Sequence, residues 1–172
     1  MNPDVNWEIS NSRTFYNETG LPKAPSGKNV AIVGQTDAAY IVGLFQEFEV
    51  PRIEHCTYIE FEVEFRYFFR DYNLEFTQGP LVYPFEPEVH VFRADILDED
   101  NYVLKNIYTT KRGQRPETNK YKKFEGRFFY NQGRKATRIE ELRLRFGVRT
   151  TFPLRLVVGI DDVKVTAECY RN

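Results

Sequence analysis

The stretch Cys56–Phe69, CTYIEFEVEFRYFF, decides the fold. Side chains of a β-strand alternate between its two faces, so Ile59, Phe61, Val63, Phe65, Tyr67 and Phe69 share one face. Tyr58, Glu60, Glu62, Glu64, Arg66 and Phe68 share the other. The sequence therefore predicts a long half-buried strand, with an apolar face toward a core and a charged face that is not a second core.

The same alternation recurs on both sides of this stretch. It marks strands at 28–34 (KNVAIVG), 40–50 (YIVGLFQEFEV), 88–97 (EVHVFRADIL), 102–110 (YVLKNIYTT) and 121–130 (YKKFEGRFFY). In ELRLRFGVR at 141–149, Leu142, Leu144, Phe146 and Val148 oppose Arg143, Arg145 and Arg149. A closing strand is expected to run from Asp161-Asp162 through VKVTAECY, and WEIS at 7–10 adds one near the start. RIEEL at 138–142 reads as a helical turn, and no helix longer than two turns is predicted. The nine prolines fall between these runs or at their edges, where a missing ladder donor costs least. DEDN at 98–101 has the chemistry of a hairpin turn, and residues 109–121 form the longest polar loop. About nine short strands with this punctuation predict an all-β, antiparallel sandwich of jelly-roll type, built as one domain over residues 1–172.

Composition agrees with that architecture. The 172 residues are 41% hydrophobic and 16% aromatic, which supplies a sizeable core. No run of apolar residues is long enough for a membrane helix, and MNPDVNWEISNSR lacks the basic start and apolar stretch of an export signal. Asn17-Glu18-Thr19 has the form of a glycosylation acceptor, but no secretory route is visible. Two cysteines and two histidines do not make a zinc site. Without an export signal, buried free thiols at Cys56 and Cys169 are expected, and a disulfide between them is the alternative.

The net charge is −1, but the charges are unevenly distributed. Residues 1–86 carry 6 basic and 13 acidic side chains, whereas residues 87–172 carry 18 and 12. The two halves therefore complement each other. Residues 111–149 hold thirteen Lys or Arg, yet these alternate with core positions, so few are left for phosphates and nucleic acid is not an expected partner.

Gly-rich phosphate loops, a Gly-x-Ser-x-Gly elbow and paired histidines are all absent, so no enzymatic activity is expected. Glu60, Glu62 and Glu64 form a row spaced by about 7 Å that reads as a cross-strand salt ladder rather than a glycosidase pair. Arg127, Arg143 and Arg145 are its expected partners if their strands share its sheet. The same charged face also has a functional reading, because sugars are held by charged side chains beside a flat ring. Most aromatics occupy core positions. Phe15, Tyr16, Tyr83 and Phe85 fall in turns and are candidate ligand platforms.

In chain order, SGKNVAIVG, AYIVGLFQEFEVP, CTYIEFEVEFRYFFRD, VHVFRADILDEDNYVL, YKKFEGRFFYN and VVGIDDVKVTA resemble the galactose-binding-like carbohydrate-binding-module jelly rolls. That family runs from a Ser-Gly-x-x strand through an aromatic Gln-x-Phe-x-Val-Pro strand and a long Tyr-x-Leu-x-Phe strand to a closing Asp-Asp-Val strand. The resemblance implies a structural calcium held by Asp161 with Lys28 or Asn29 from the SGKN loop, and Asp4 as a further ligand. The amino terminus departs from the family pattern by lacking its Phe-Glu pair. The resemblance also implies glycan binding on a concave sheet face or at loop ends. Here those positions are Glu60, Glu62, Glu64, Arg66, Arg127, Phe129, Arg143 and Arg145 on the sheet, and Tyr83 in a loop. The expected function is a non-catalytic module recognising glycan at a surface. The alternative is a structural protein that self-associates in a larger particle, such as a virion or spore surface.

Overall fold

A computed structural model describes residues 8–10, 15–16, 22–26, 29–33, 41–51, 56–69, 91–110, 120–131, 141–149 and 157–170. They form ten strands: β1 (Glu8–Ser10), β2 (Phe15–Tyr16), β3 (Asn29–Val33), β4 (Ile41–Glu49), β5 (Tyr58–Phe69), β6 (Val91–Leu97), β7 (Val103–Thr109), β8 (Lys122–Asn131), β9 (Glu141–Arg149) and β10 (Val158–Tyr170). The first two are only three and two residues long, and no helix is present among the described residues.

Two five-stranded antiparallel sheets form a jelly-roll sandwich, with orders β1-β4-β9-β6-β7 and β2-β3-β10-β5-β8. Most neighbours are distant in sequence. The β5–β10 ladder, for example, runs from Val158 opposite Phe69 to Tyr170 opposite Tyr58.

The core lies between the inner faces and is largely aromatic. Phe61, Phe65, Tyr67 and Phe69 of β5 face Phe92 of β6 and Leu142, Leu144 and Phe146 of β9, all buried. Phe65 and Phe146 meet edge to face at 4.9 Å, joining the sheets at their centre. Each large ring so buried contributes about 1.5–3 kcal/mol. Tyr67 and Tyr108 place their only polar atoms together, with the hydroxyls 2.7 Å apart.

The hairpin joining β6 to β7 has the expected chemistry. The Asp98 carboxylate accepts from the Tyr102 amide at 2.8 Å, and Asn101 takes the left-handed φ of 67° that asparagine tolerates. The closing strand, by contrast, starts at Val158 rather than Asp161. The Asp161-Asp162 pair is a bulge inside it, where the register with β5 shifts and Asp162 has a φ of 51°. Phe15 and Tyr16, expected in a turn, form β2 against β3. Residues 138–140 of the expected helical turn lie outside the described residues, and Glu141–Leu142 are already strand.

Two further expectations are corrected. Cys56 and Cys169 are bonded, with Cα atoms 5.7 Å apart, because the antiparallel ladder brings the end of β10 to the start of β5. The outward face of β5 is also not wholly charged. At one end Phe68 is buried with Val30, Ile32 and Val157 in a second small core, against which Tyr121 packs. Gly159 lies beneath the Phe68 ring, leaving no room for a side chain.

Candidate functional site

The strand order splits the residues singled out in the sequence between two surfaces. Glu62, Glu64 and Arg66 on β5 and Arg127 on β8 point outward from one sheet. Arg143 and Arg145 on β9 point outward from the other, on the far side of the core. The expected single ladder from Glu60–Glu64 to Arg143 and Arg145 is therefore not formed, since β9 pairs with β4 and β6 and never meets β5. Asp4, Lys28, Tyr83 and Phe85 lie outside the described residues, as does the side chain of Asn29.

The β9 arginines have other partners. Arg143 pairs with Glu47 at 2.5 Å and donates to Asn101 at 3.0 Å. Arg145 donates to Asp95 Oδ2 at 2.6 Å, while Arg93 and Asn106 donate to Oδ1 at 2.6 and 2.8 Å. Asp95 is wholly buried. Burial alone would push its carboxyl up, but the three hydrogen-bond donors outweigh it and hold the group below the ordinary aspartate range. An aspartate so held is ionised at neutral pH and does not serve as a general acid. The network is a built structural element, and bulges in the β6–β7 pairing on either side of Asp95 bring Asn106 to it.

The outer face of β8-β5-β10 is different in kind. Arg127 bridges Glu60 and Glu62 at 3.2 and 3.3 Å, which is the cross-strand ladder expected for that residue. Further along, Lys123 pairs with Glu64 at 3.0 Å and with Glu125, and Arg66 with Asp162 at 3.3 Å. The Lys123 hydrogen bond holds Glu64 below the usual carboxylate range.

At the end of this face nearest the disulfide, three rings stand in solvent. Tyr58 is 42% exposed, Phe129 56% and Tyr170 43%. Phe129 sits opposite Glu60 on one side of β5, and Tyr170 opposite Tyr58 on the other. Their rings nonetheless meet edge to face over β5, with centroids 4.9 Å apart. The sequence reading took Phe129 as a sheet-face residue but gave Tyr58 and Tyr170 no role. The available signal was that both fall on the polar phase of their strands, where a large ring has no core to enter.

The bulged Asp161 accepts from the Ser26 amide and hydroxyl, each at 3.4 Å, and from the Asp162 amide at 2.8 Å. Burial pushes its carboxyl above the ordinary range against these hydrogen bonds. Among the described residues no three acidic, His or Cys side chains cluster as metal ligands, and Asp162 is engaged by Arg66. These residues alone do not supply the six to eight oxygens that calcium takes. Among the described residues no helix is long and apolar enough to cross a membrane.

No family model matches the chain, and no curated protein does. Solved structures do. A carbohydrate-binding module of family 4 superposes with a TM-score of 0.53 at 11% identity, covering 94% of each chain. A cyclase from Fischerella sp. TAU, in complex with 4-(1H-indol-3-yl)butan-2-one, gives 0.57 at 17% identity, over 99% of this chain and 94% of that one. An arabinose-bound α-L-arabinofuranosidase gives 0.56 at 10% identity, over 94% of this chain but only 23% of the enzyme. At such identities the likeness is one of fold alone, an antiparallel jelly-roll sandwich that a carbohydrate-binding module, a cyclase and part of a glycosidase each match.

Proposed function

We propose that the chain is a non-catalytic, galactose-binding-like carbohydrate-binding module that holds a glycan on the outer face of β8-β5-β10. One observation carries this reading: Tyr58, Phe129 and Tyr170 expose their rings together on a sheet face, beside Arg127, Glu60 and Glu62. Sugar rings present an apolar C–H face that stacks on aromatics and a rim of hydroxyls that hydrogen-bonds to charged side chains, and this end of the sheet offers both. The rings sit on strands rather than loops, so little ordering entropy is lost on binding. The jelly-roll likeness to a carbohydrate-binding module supports the reading at the level of fold.

The test is affinity electrophoresis and calorimetry against soluble plant and microbial polysaccharides, with Phe129→Ala and Tyr170→Ala as variants. Retardation by a glycan, weakened about tenfold or more by either ring deletion, is the expected result. Absence of binding to every glycan, or binding indifferent to both rings, would overturn the proposal.

A structural calcium beside Asp161 belongs to the same proposal, with Lys28 or Asn29 of the SGKN loop and Asp4 as its further ligands. Addition of calcium is expected to raise the melting temperature, and chelator to reverse it. A melting temperature unmoved by either would remove the metal.

Self-association is the second reading, favoured by one feature. Tyr102, Val103 and Leu104 expose large apolar side chains consecutively where β7 begins, and β7 is the edge of its sheet. A light-scattering mass above that of one chain, reduced by Leu104→Lys, is the expected signature. A monomer at high concentration would rule the reading out.

A further inference from the structure

We infer that the glycan held at the Tyr58-Phe129-Tyr170 face carries free amino groups, as in a polymer of 2-amino-2-deoxy sugars; this rests on the carbohydrate-binding reading above. The argument is the charge balance along the face. Toward Arg66 the charges cancel: Arg66 with Asp162, and Lys123 with Glu64 and Glu125, while Lys164 stands opposite Glu64. Toward the rings they do not. Glu60 and Glu62 share the single guanidinium of Arg127.

Glu168 stands directly opposite Glu60 in the β5–β10 ladder, is exposed, and has no ion pair or hydrogen bond among the described residues. Two like charges facing each other across a ladder destabilise it. Among the described residues, three carboxylates against one guanidinium thus surround three exposed rings.

A ligand ammonium at this place gains twice, from the uncompensated carboxylate of Glu168 and from the negative faces of the rings. A uronate or sulfated sugar would meet the same carboxylates and be repelled. A neutral sugar would gain only the stacking.

The experiment compares a fully de-N-acetylated glucosamine hexamer with its N-acetylated counterpart and with a hexagalacturonate. Calorimetry at low ionic strength measures each on the wild type and on Glu168→Gln, Phe129→Ala and Glu99→Gln. The last variant removes an exposed acid of the β6–β7 hairpin on the other sheet and controls for net charge.

The amino hexamer is expected to bind about fivefold to tenfold more tightly than the acetylated one. That preference should be reduced severalfold in Glu168→Gln, kept in Glu99→Gln and weakened by salt, with galacturonate binding weakest. Equal affinities, or a preference unchanged in Glu168→Gln or reduced equally in Glu99→Gln, would overturn the inference. Ring-dependent binding to neutral glycans would then leave the carbohydrate reading standing. Binding to no glycan at all would overturn both.

Discussion

Cys56 and Cys169 are joined across a sequence separation of 113 residues, tying the start of β5 to the end of β10. The last registered pair of that ladder is Tyr58 opposite Tyr170. The covalent link therefore lies within two residues of two of the three exposed rings. A cross-link closing so long a loop restricts the unfolded chain by about 4–5 kcal/mol in the chain-entropy model. The double variant Cys56→Ser/Cys169→Ser is expected to lose about 2–5 kcal/mol in urea unfolding. Amide exchange should quicken first at Tyr58 and Tyr170. Unchanged stability would show that the ladder alone holds this end.

Asp95 is the group on which the other outer face depends. Replacing it by Asn leaves the half-exposed Arg93 and the partly buried Arg145 without their counter-charge, at a cost of about 1–3 kcal/mol. Its folded pKa is depressed, so its contribution is complete above the unfolded value near 3.8 and is lost as pH falls through the folded value. Acid unfolding below about pH 4 should consequently be blunted in Asp95→Asn. A midpoint in acid titration that is the same in variant and wild type would contradict the assignment.

Asp161 has the opposite sign. Its folded pKa is raised by burial, so ionisation costs stability as pH rises from the unfolded value through the folded one. Without calcium, Asp161→Asn is expected to be at least as stable as the wild type at pH 7, the reverse of Asp95→Asn. With calcium present, the wild type should regain the advantage. Thermal melts of both variants with chelator and with calcium check the two signs together.

Tyr108 and Tyr121 are half-buried, and burial, first of all, raises both hydroxyls well above the ordinary value near 10. The Tyr67 hydroxyl adds to the shift at Tyr108, and the Asp161 and Asp162 charges add to it at Tyr121. Because the folded state keeps these protons longer than the unfolded state, stability declines as pH rises above about 10. Ultraviolet titration is expected to show exposed tyrosines ionising first and the last ones only with unfolding. Reversible ionisation of every tyrosine in the folded protein would refute this.

Gly159 is a packing position. A Cβ there would lie 1.9 Å from the Phe68 ring, in the small core on the outer face. Gly159→Ala is expected to cost about 1–3 kcal/mol, with recovery in a Phe68→Leu background. A neutral Gly159→Ala would mean that the ring has room to turn.

Much of the fold was legible because strand alternation is a local property. Ile59, Phe61, Val63, Phe65, Tyr67 and Phe69 occupy the buried phase that the alternation assigns them, and Asp98–Asn101 make the predicted turn. The closing strand was misplaced by three residues because Asp161-Asp162 looks like a polar boundary and is a bulge. Phe68 was read with the charged phase because nothing in its own strand reveals that Val30, Ile32 and Val157 cover it.

The sequence by itself determined which residues face inward on β5 and β9, since that depends only on the period of two and the affinity of large apolar side chains for a core. It also determined that the acidic first half would find basic partners in the second, as Glu47 does with Arg143 and Glu60 with Arg127. Strand order was decided by the tertiary structure alone. It placed β9 in the opposite sheet from β5, separated Arg143 and Arg145 from the glutamate row, and brought Tyr58, Phe129 and Tyr170 from three distant segments to one surface. The physical reason is that outward-facing side chains carry no burial energy to fix their neighbours. Their company is set by which backbones pair, and that pairing is settled by packing on the opposite, buried face.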